Sequence, residues 1–263
     1  MSEFVLKGKR VVLTDGESAA SLLISDGNIV SIGEHNAEYD LPAKDIYDLG
    51  CSVLMPGIID VHVHINEPGR TEWEGFETAT QAAAAGGLTT LADMPLNSSP
   101  VTTTVESFRK KLNESSTKLA VDVAYHAGVV PDHAEQLNKV LSMGAIAGKA
   151  FMIDSGIDEF PFADRDTLHE AMTVLKTHNK PLLAHAELEL SLDLPEPPWT
   201  RFKDYLASRP QAMETGAVKL LIELCKETGC AVHVVHLSAT EPLEMLRAAR
   251  AKGLPITVET SPH

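Results

Sequence analysis

The residues of this chain that could do chemistry sit at the ends of apolar runs. In residues 54–70, LMPGIIDVHVHINEPGR, a β-branched run closes on His62 and His64. Side chains alternate along a strand, so two histidines two apart share a face and can grip one metal ion together. Asp60 falls on that face as well. Three further runs carry polar residues at comparable places: AIAGKAFMI holds Lys149, PLLAHAE holds His185 and AVHVVHLS holds His236. Neutral imidazole suits zinc, whose catalytic sites keep a coordination position open for water.

Lys149 follows Ile146-Ala147-Gly148 and precedes Ala150-Phe151-Met152, an apolar setting in which an ammonium group is costly. Two outcomes fit: a structural lysine paired with a carboxylate, or a desolvated amine of depressed pKa that adds carbon dioxide. The resulting carbamate could bridge two cations and help neutralise two Zn²⁺ ions about 3.5–4 Å apart. His185 and His236, each alone, fit a hydrogen-bonded core histidine equally well. Their shared position near the close of a β-run groups them with His62 and His64. Alternation puts His233 on the opposite face from His236, so only His236 is assigned. His126 is left open, and His133, His169 and His178 read as helix or loop surface.

These residues need strands to position them. Residues 1–50 form apolar runs punctuated by Gly8, Asp15-Gly16, Asp26-Gly27 and Gly33, the hairpin signals of a small β-layer. From Val53 the rhythm changes to apolar strands alternating with Ala-, Leu-, Glu- and Lys-rich helices. Strands are expected over residues 53–64, 87–94, 120–128, 145–153, 181–187, 231–238 and 254–259. The longest connection, between the fifth and sixth, holds the acidic, Pro-rich LDLPEPPW and a helix with apolar spacing at Val218, Leu221, Ile222 and Leu224-Cys225. Seven βα units, with chemistry at the carboxyl ends of their strands, predict a TIM-like (β/α)₈ barrel lacking its last unit. A Rossmann sheet is disfavoured because no GxGxxG follows a strand.

Composition narrows the ligand. The chain has 263 residues, 44% hydrophobic with few aromatics, and a formal net charge of −15. Such acidity argues against nucleic acid or an anionic membrane and favours a small molecule. Cys51, Cys225 and Cys230 make no even framework, which points to a reducing compartment with all three as small buried hydrophobes. No signal peptide is visible, and no apolar run approaches the roughly 20 residues that span a bilayer. A cytoplasmic protein is expected, with the peroxisome or mitochondrion as eukaryotic alternatives.

The stretches MPGIIDVHVHINEPGRTEWEGFETATQAAAAGGLTTLADMPLNSSP, GAIAGKAFM, LLAHAE, YLASRPQAMET, VVHLS and ITVETSPH occur in the order found in a known family. The chain resembles the cyclic amidohydrolases, which include dihydroorotase, hydantoinase and allantoinase, with allantoinase the nearest branch. The resemblance implies residues 1–54 as the N-terminal part of a small β-sandwich and residues 55–263 as the barrel. It implies two zinc ions per subunit: His62 and His64 on the buried one, His185 and His236 on the more exposed one, and carboxylated Lys149 (N6-carboxylysine) as the bridge. It further implies hydrolysis of the cyclic amide of allantoin to allantoate by metal-bound hydroxide, in a homotetramer.

Asn97 matches a position near the substrate. Asn66 stands where dihydroorotases carry a carboxylate-binding arginine, which favours an uncharged ring. Arg70 is expected to be structural. Gly148 departs from the aromatic residue usual before the lysine and is expected to loosen packing there. The family's general acid, an aspartate on the eighth strand, lies beyond the end of the chain, so no catalytic acid is assigned. The 263 residues alone are expected to be weak or inactive. The alternatives are a hydantoinase, dihydropyrimidinase or dihydroorotase, or a non-catalytic scaffold.

Overall fold

The computed structural model describes residues 3–190, 194–195 and 197–261. Contacts divide the chain into two compact units, one through Ile58 and the other from Ile59 onward. The first is a mixed sheet of β1 (Glu3–Leu13), β2 (Gly16–Ser25), β3 (Asn28–Glu34), β4 (Ile46–Asp48) and β5 (Val53–Leu54) in the order β3-β2-β1-β4, with β5 also on β1. Asp26 and Gly27, with φ of 49° and 78°, make the β2–β3 turn, as their types predict. Gly8 makes no turn. It lies inside β1, where the register with β2 shifts between Gly8 and Val11. Val11, Ala20, Leu22 and Ile24 form the buried cluster of this unit.

The expected strand over residues 53–64 is two strands. Val53 and Leu54 pair with Arg10 and Val11 in the first sheet, and the chain leaves it through Met55-Pro56-Gly57. The proline cannot donate to a ladder, so the run breaks there. The unit boundary accordingly falls at Ile58/Ile59 and not at 54/55.

The second unit alternates strands and helices: β6 (Ile58–Val63), α1 (Phe76–Ala85), β7 (Leu88–Asp93), α2 (Val105–Ser115), β8 (Asp122–Tyr125), β9 (Ala127–Gly128), α3 (Ala134–Ser142), β10 (Gly148–Phe151) and α4 (Arg165–Thr177). It continues with β11 (Leu182–His185), α5 (Phe202–Ala207), α6 (Gln211–Thr228), β12 (Val232–Val234), α7 (Leu243–Ala251) and β13 (Ile256–Val258). Strands follow one another in the orders β6-β7-β8 and β9-β10-β11-β12-β13. The third expected strand is interrupted at His126, yet Ile146 N donates to Tyr125 O at 2.9 Å and His126 N, leading into β9, to Asp93 O at 3.0 Å. Those bonds join both sheets into one arc of parallel βα units, the barrel architecture predicted from the spacing.

Apolar faces of the helices close the core. Val218, Leu221, Ile222, Leu224 and Cys225 of α6 are all buried, as their spacing requires. Thr104 caps α2 through a reciprocal pair with Ser107, and Asp164 caps α4 by accepting Thr167 N at 2.9 Å. Cys225 and Cys230 are buried free thiols, but Cys51 is exposed, so the expectation of three buried cysteines fails there. Among the described residues no helix is long and apolar enough to cross a membrane. In the expected LDLPEPPW loop, Leu192, Asp193 and Glu196 lie outside the described residues, as do Pro262 and His263 at the chain terminus.

Candidate functional site

His62 is the fifth residue of β6, and His64 stands just past its end. Asp60 uses its carboxylate to accept His62 N at 3.0 Å, a local bond that fixes the backbone before the pair. The His62 and His64 rings lie 5.4 Å apart, and His236 lies 5.6 Å from His62. His185 closes β11, and its ring is 4.7 Å from that of His236. His185 Nδ1 and His236 Nε2 face each other at 3.1 Å. Lys149, on β10, places Nζ 4.9 Å from the centre of the Phe151 ring, which in turn stacks on His185 at 4.4 Å. Four strands thus bring the five singled-out residues to one end of the arc.

Alternation alone did not place His236. It lies two residues beyond β12 with φ of 41°, a left-handed conformation that is uncommon for any residue but glycine. Glu214 of α6 holds this loop by accepting Ser238 N at 3.0 Å and Ala239 N, while Thr260 Oγ1 donates to Leu237 O at 2.8 Å. Leaving the pleat re-aims the side chain, and this corrects the reading of His233. His233 Nε2 bonds to Glu259 at 3.1 Å, and Glu259 accepts from His62 Nδ1 with its other oxygen. His233 therefore belongs to the same cluster, one carboxylate removed from His62.

Carboxylates stand behind the His62 and His185 rings and brace the backbone beside His64. Glu187 accepts from His185 Nε2 at 3.1 Å and is itself held by Arg209 at 2.8 Å. Asp93, fully buried, accepts Ile65 N at 2.7 Å directly after His64 and takes the ammonium of buried Lys111. Sequence reasoning missed Asp93, Glu187, Glu214, His233 and Glu259. Glu187 was within reach of it, since it stands two residues after His185 in LLAHAE.

Burial sets the charge states. It pushes His64, His236 and His126 down to about 4, and nearby positive charge lowers all three further. Their neutral, lone-pair-bearing forms therefore prevail at neutral pH. Burial lowers Lys149 to about 7, opposed only by the charge of Glu259. Burial raises Glu259, but bonds from His62 and His233 outweigh it and hold the carboxyl below its ordinary value. The bond from His185 does the same for Glu187.

The donor set fits a metal in its chemistry. His64 Nδ1 is buried without a hydrogen-bond partner, and the facing His185 and His236 nitrogens can each offer a lone pair. Among the described residues no three histidine, cysteine or carboxylate side chains are already gathered into a cage. Beside the cluster opens a cleft of 530 Å³, lined by Phe151, His185, Glu187, Arg209, His236 and Ser238 among others.

The remaining singled-out residues fall elsewhere. Asn66 is buried in a turn in which its N–H donates to Glu74 O and its carbonyl accepts Arg70 N, both at 3.0 Å. Asn97 has φ of 76° and accepts Arg70 Nη1 on its carbonyl at 3.3 Å. Arg70 also lies 5.1 Å over the Trp73 ring, the structural role expected of it. Among the described residues no hydrogen bond joins either asparagine side chain to the histidines. Gly148 does not loosen its surroundings: a Cβ there would come within 2.9 Å of Val129 and 3.0 Å of Leu175. His126 is buried with Nε2 3.3 Å from Val61 O and Nδ1 unpartnered. His133 and His178 are half-buried, the first bonded to Pro131 O and the second to the Asn138 side chain, and His169 is exposed.

An arc of parallel strands with polar chemistry at the carboxyl ends defines a βα-barrel protein with its site where such barrels keep theirs. The sequence profile of the amidohydrolase family matches residues 53–258, and the chain belongs to that family. It is 45% identical to the mitochondrial allantoinase of Aquarana catesbeiana over 98% of this chain and 54% of that protein. It is 42% identical to the allantoinase of Streptomyces avermitilis over 99% of this chain and 59% of that one. Among solved structures it is similar to the L-hydantoinase (dihydropyrimidinase) of Arthrobacter aurescens, with a TM-score of 0.89 and 29% identity over 100% of this chain and 59% of that chain. The chain thus spans little more than half the length of the relatives it matches.

Proposed function

We propose that the chain carries the metal-binding part of an allantoinase, which opens the cyclic amide of allantoin by hydrolysis to give allantoate. The observation that carries this reading is the convergence of His62, His64, His185 and His236 around a buried, easily neutralised Lys149. The identities to allantoinases support the choice of substrate, and 29% identity to the hydantoinase supports that alternative less.

In this reading His62 and His64 would hold one zinc ion, His185 and His236 would hold a second, and Lys149 would serve both. The Lys149 amine, neutral in part at physiological pH, would be able to add carbon dioxide with loss of a proton, and the resulting carbamate would supply the anionic charge that a pair of cations needs. When bound, the zinc pair supplies Lewis-acid polarisation of an amide carbonyl and lowers the pKa of water. The chain's own residues set the geometry: Glu187 and Glu259 orient imidazoles, and Phe151 stacks on one face of the His185 ring. The cleft admits a small ring, and the arginine that lines it, Arg209, is already engaged by Glu187. We further place the assembled enzyme as a homotetramer in the cytoplasm, with peroxisome or mitochondrion for a eukaryotic source.

The test is zinc content and turnover of allantoin, hydantoin and dihydroorotate, by this chain and by a chimera that adds the remaining length of an allantoinase relative. About two zinc ions per chain and preference for allantoin are expected. Preference for hydantoin or dihydroorotate with the same zinc content would move the protein to another branch of the chemistry.

A further inference from the structure

Glu259 ties together parts of the chain that are far apart in sequence: it lies 197 residues from His62 and 26 from His233. Its backbone is locked into the arc on the β12 side, with N donating to Val234 O at 3.0 Å and O accepting Leu237 N at 2.8 Å. The carboxylate is therefore aimed by the ladder and not by a free loop. One oxygen meets His62 Nδ1 and the other meets His233 Nε2. His233 Nδ1 lies 2.8 Å from Thr257 Oγ1.

Hydrogen-bond direction along this chain is determined once Glu259 is ionised, because a carboxylate can only accept. His62 must then donate from Nδ1 and His233 from Nε2. Neutral His233 is left with a lone pair on Nδ1, which accepts the Thr257 hydroxyl proton. His62 is left with its lone pair on Nε2 alone.

We propose that Glu259 is a positioning residue, which, backed by His233 and Thr257, locks His62 in the Nδ1-protonated tautomer and presents Nε2 as its only metal-binding atom. This rests on the metal reading above for the identity of what His62 holds, but the tautomer itself does not depend on it. A carboxylate behind a ligand histidine typically contributes 10–100-fold in metal affinity by fixing ring orientation and raising basicity. His185 has the matching arrangement through Glu187, with Nε2 engaged and Nδ1 turned toward His236. The two differ in what stands behind the carboxylate: Arg209 on the second oxygen of Glu187, and a second histidine, His233, on that of Glu259.

The experiment compares the chain with its Glu259→Gln, Glu259→Asp and Thr257→Val variants. Imidazole ¹⁵N shifts of the metal-free protein report the tautomer, and competition with a chromogenic chelator reports zinc affinity; circular dichroism verifies the fold. The expected result is a single Nδ1–H tautomer for His62 that becomes a mixture in Glu259→Gln, with zinc bound about 10–100-fold more weakly. Glu259→Asp should recover part of the affinity. Thr257→Val, a milder change that leaves both carboxylate bonds in place, should weaken zinc binding only a few-fold. An unchanged tautomer in a folded Glu259→Gln protein overturns the proposal, as does unchanged zinc affinity there when His62→Ala loses it. If the unaltered chain takes up no zinc, the metal reading fails, and the tautomer measurement still decides whether Glu259 holds His62.

Discussion

In the wall built from β7, β8 and α2, Lys111 gives its ammonium to Asp93, Asp93 also accepts Ile65 N, and Tyr125 donates to Ser115 at 2.6 Å. Around β10 the polar groups are left otherwise. Lys149 has the Phe151 ring beside its amine, and His64 Nδ1 and His126 Nδ1 are buried without partners. Both regions take ionisable side chains out of water, so both incur the same desolvation cost. Only the wall offsets part of it within the protein, through the Lys111 ammonium and the Ile65 N–H on Asp93. Buried polar groups that find partners are architecture, and those left unpartnered at a strand end are held for something that arrives later. Lys111 and Lys149 make the contrast sharpest, since both are about 1% exposed and only one has a carboxylate on it.

The largest expected effect comes from breaking the wall pair. Asp93→Leu leaves the Lys111 ammonium buried and uncompensated and should cost about 3–5 kcal/mol in urea unfolding. Adding Lys111→Met removes the stranded charge and should recover much of that loss, leaving a deficit of about 1–3 kcal/mol for the unsatisfied Ile65 N–H. If the double variant is as unstable as the single one, the pair is not what Asp93 supports.

The opposite sign is expected at the mouth. Lys149→Met replaces a desolvated amine by an apolar chain of similar length, so the metal-free protein should gain on the order of 3 kcal/mol while zinc uptake falls. Stability would then rise as the binding chemistry is lost, the reverse of the wall. A destabilised Lys149→Met protein would show that the lysine is structural, the alternative its sequence position had left open.

The same contrast explains what was legible in the sequence. His62, His64, His185 and His236 could be read because each lies on or just past a β-run, and such runs announce themselves by local hydrophobic pattern. Asp26-Gly27 was legible for the same reason: a turn is decided by its own residues. Glu259 was not, because its importance lies in reaching a histidine 197 residues away, and nothing local encodes that partner. Lys111, in the sequence FRKKL, reads as one more solvated helix charge; only the packing of α2 against the sheet shows it buried on Asp93. His233 was misplaced for another reason. Alternation holds within β12 but stops at Val234, and the left-handed turn at His236 brings two residues of opposite parity to one site.

The smallest effect tests the wall on its most modest member. Tyr125 packs edge-on against Phe76 and Phe108, at 6.1 and 6.2 Å, and its hydroxyl meets Ser115. Tyr125→Phe keeps both aromatic contacts, and Ser115 still donates to Leu112 O, so no polar group is stranded. The loss at neutral pH should be about 1 kcal/mol, the net worth of one hydrogen bond. Burial pushes the Tyr125 phenol up to about 12, against an unfolded value near 10. Between those values the unfolded chain gives up the phenolic proton while the folded protein keeps it, so stability must fall as pH rises. That contribution is fully present below pH 10 and disappears toward 12, and Tyr125→Phe lacks it. The two proteins' unfolding free energies should therefore run parallel from pH 7 to 9, converge above pH 10 and cross at about pH 11, because raising the phenol from about 10 to about 12 is worth about 2.7 kcal/mol, more than the gap at neutral pH. A gap that stays constant through pH 11 would mean the phenol is not held in its neutral form, and the wall would be wetter than its packing implies.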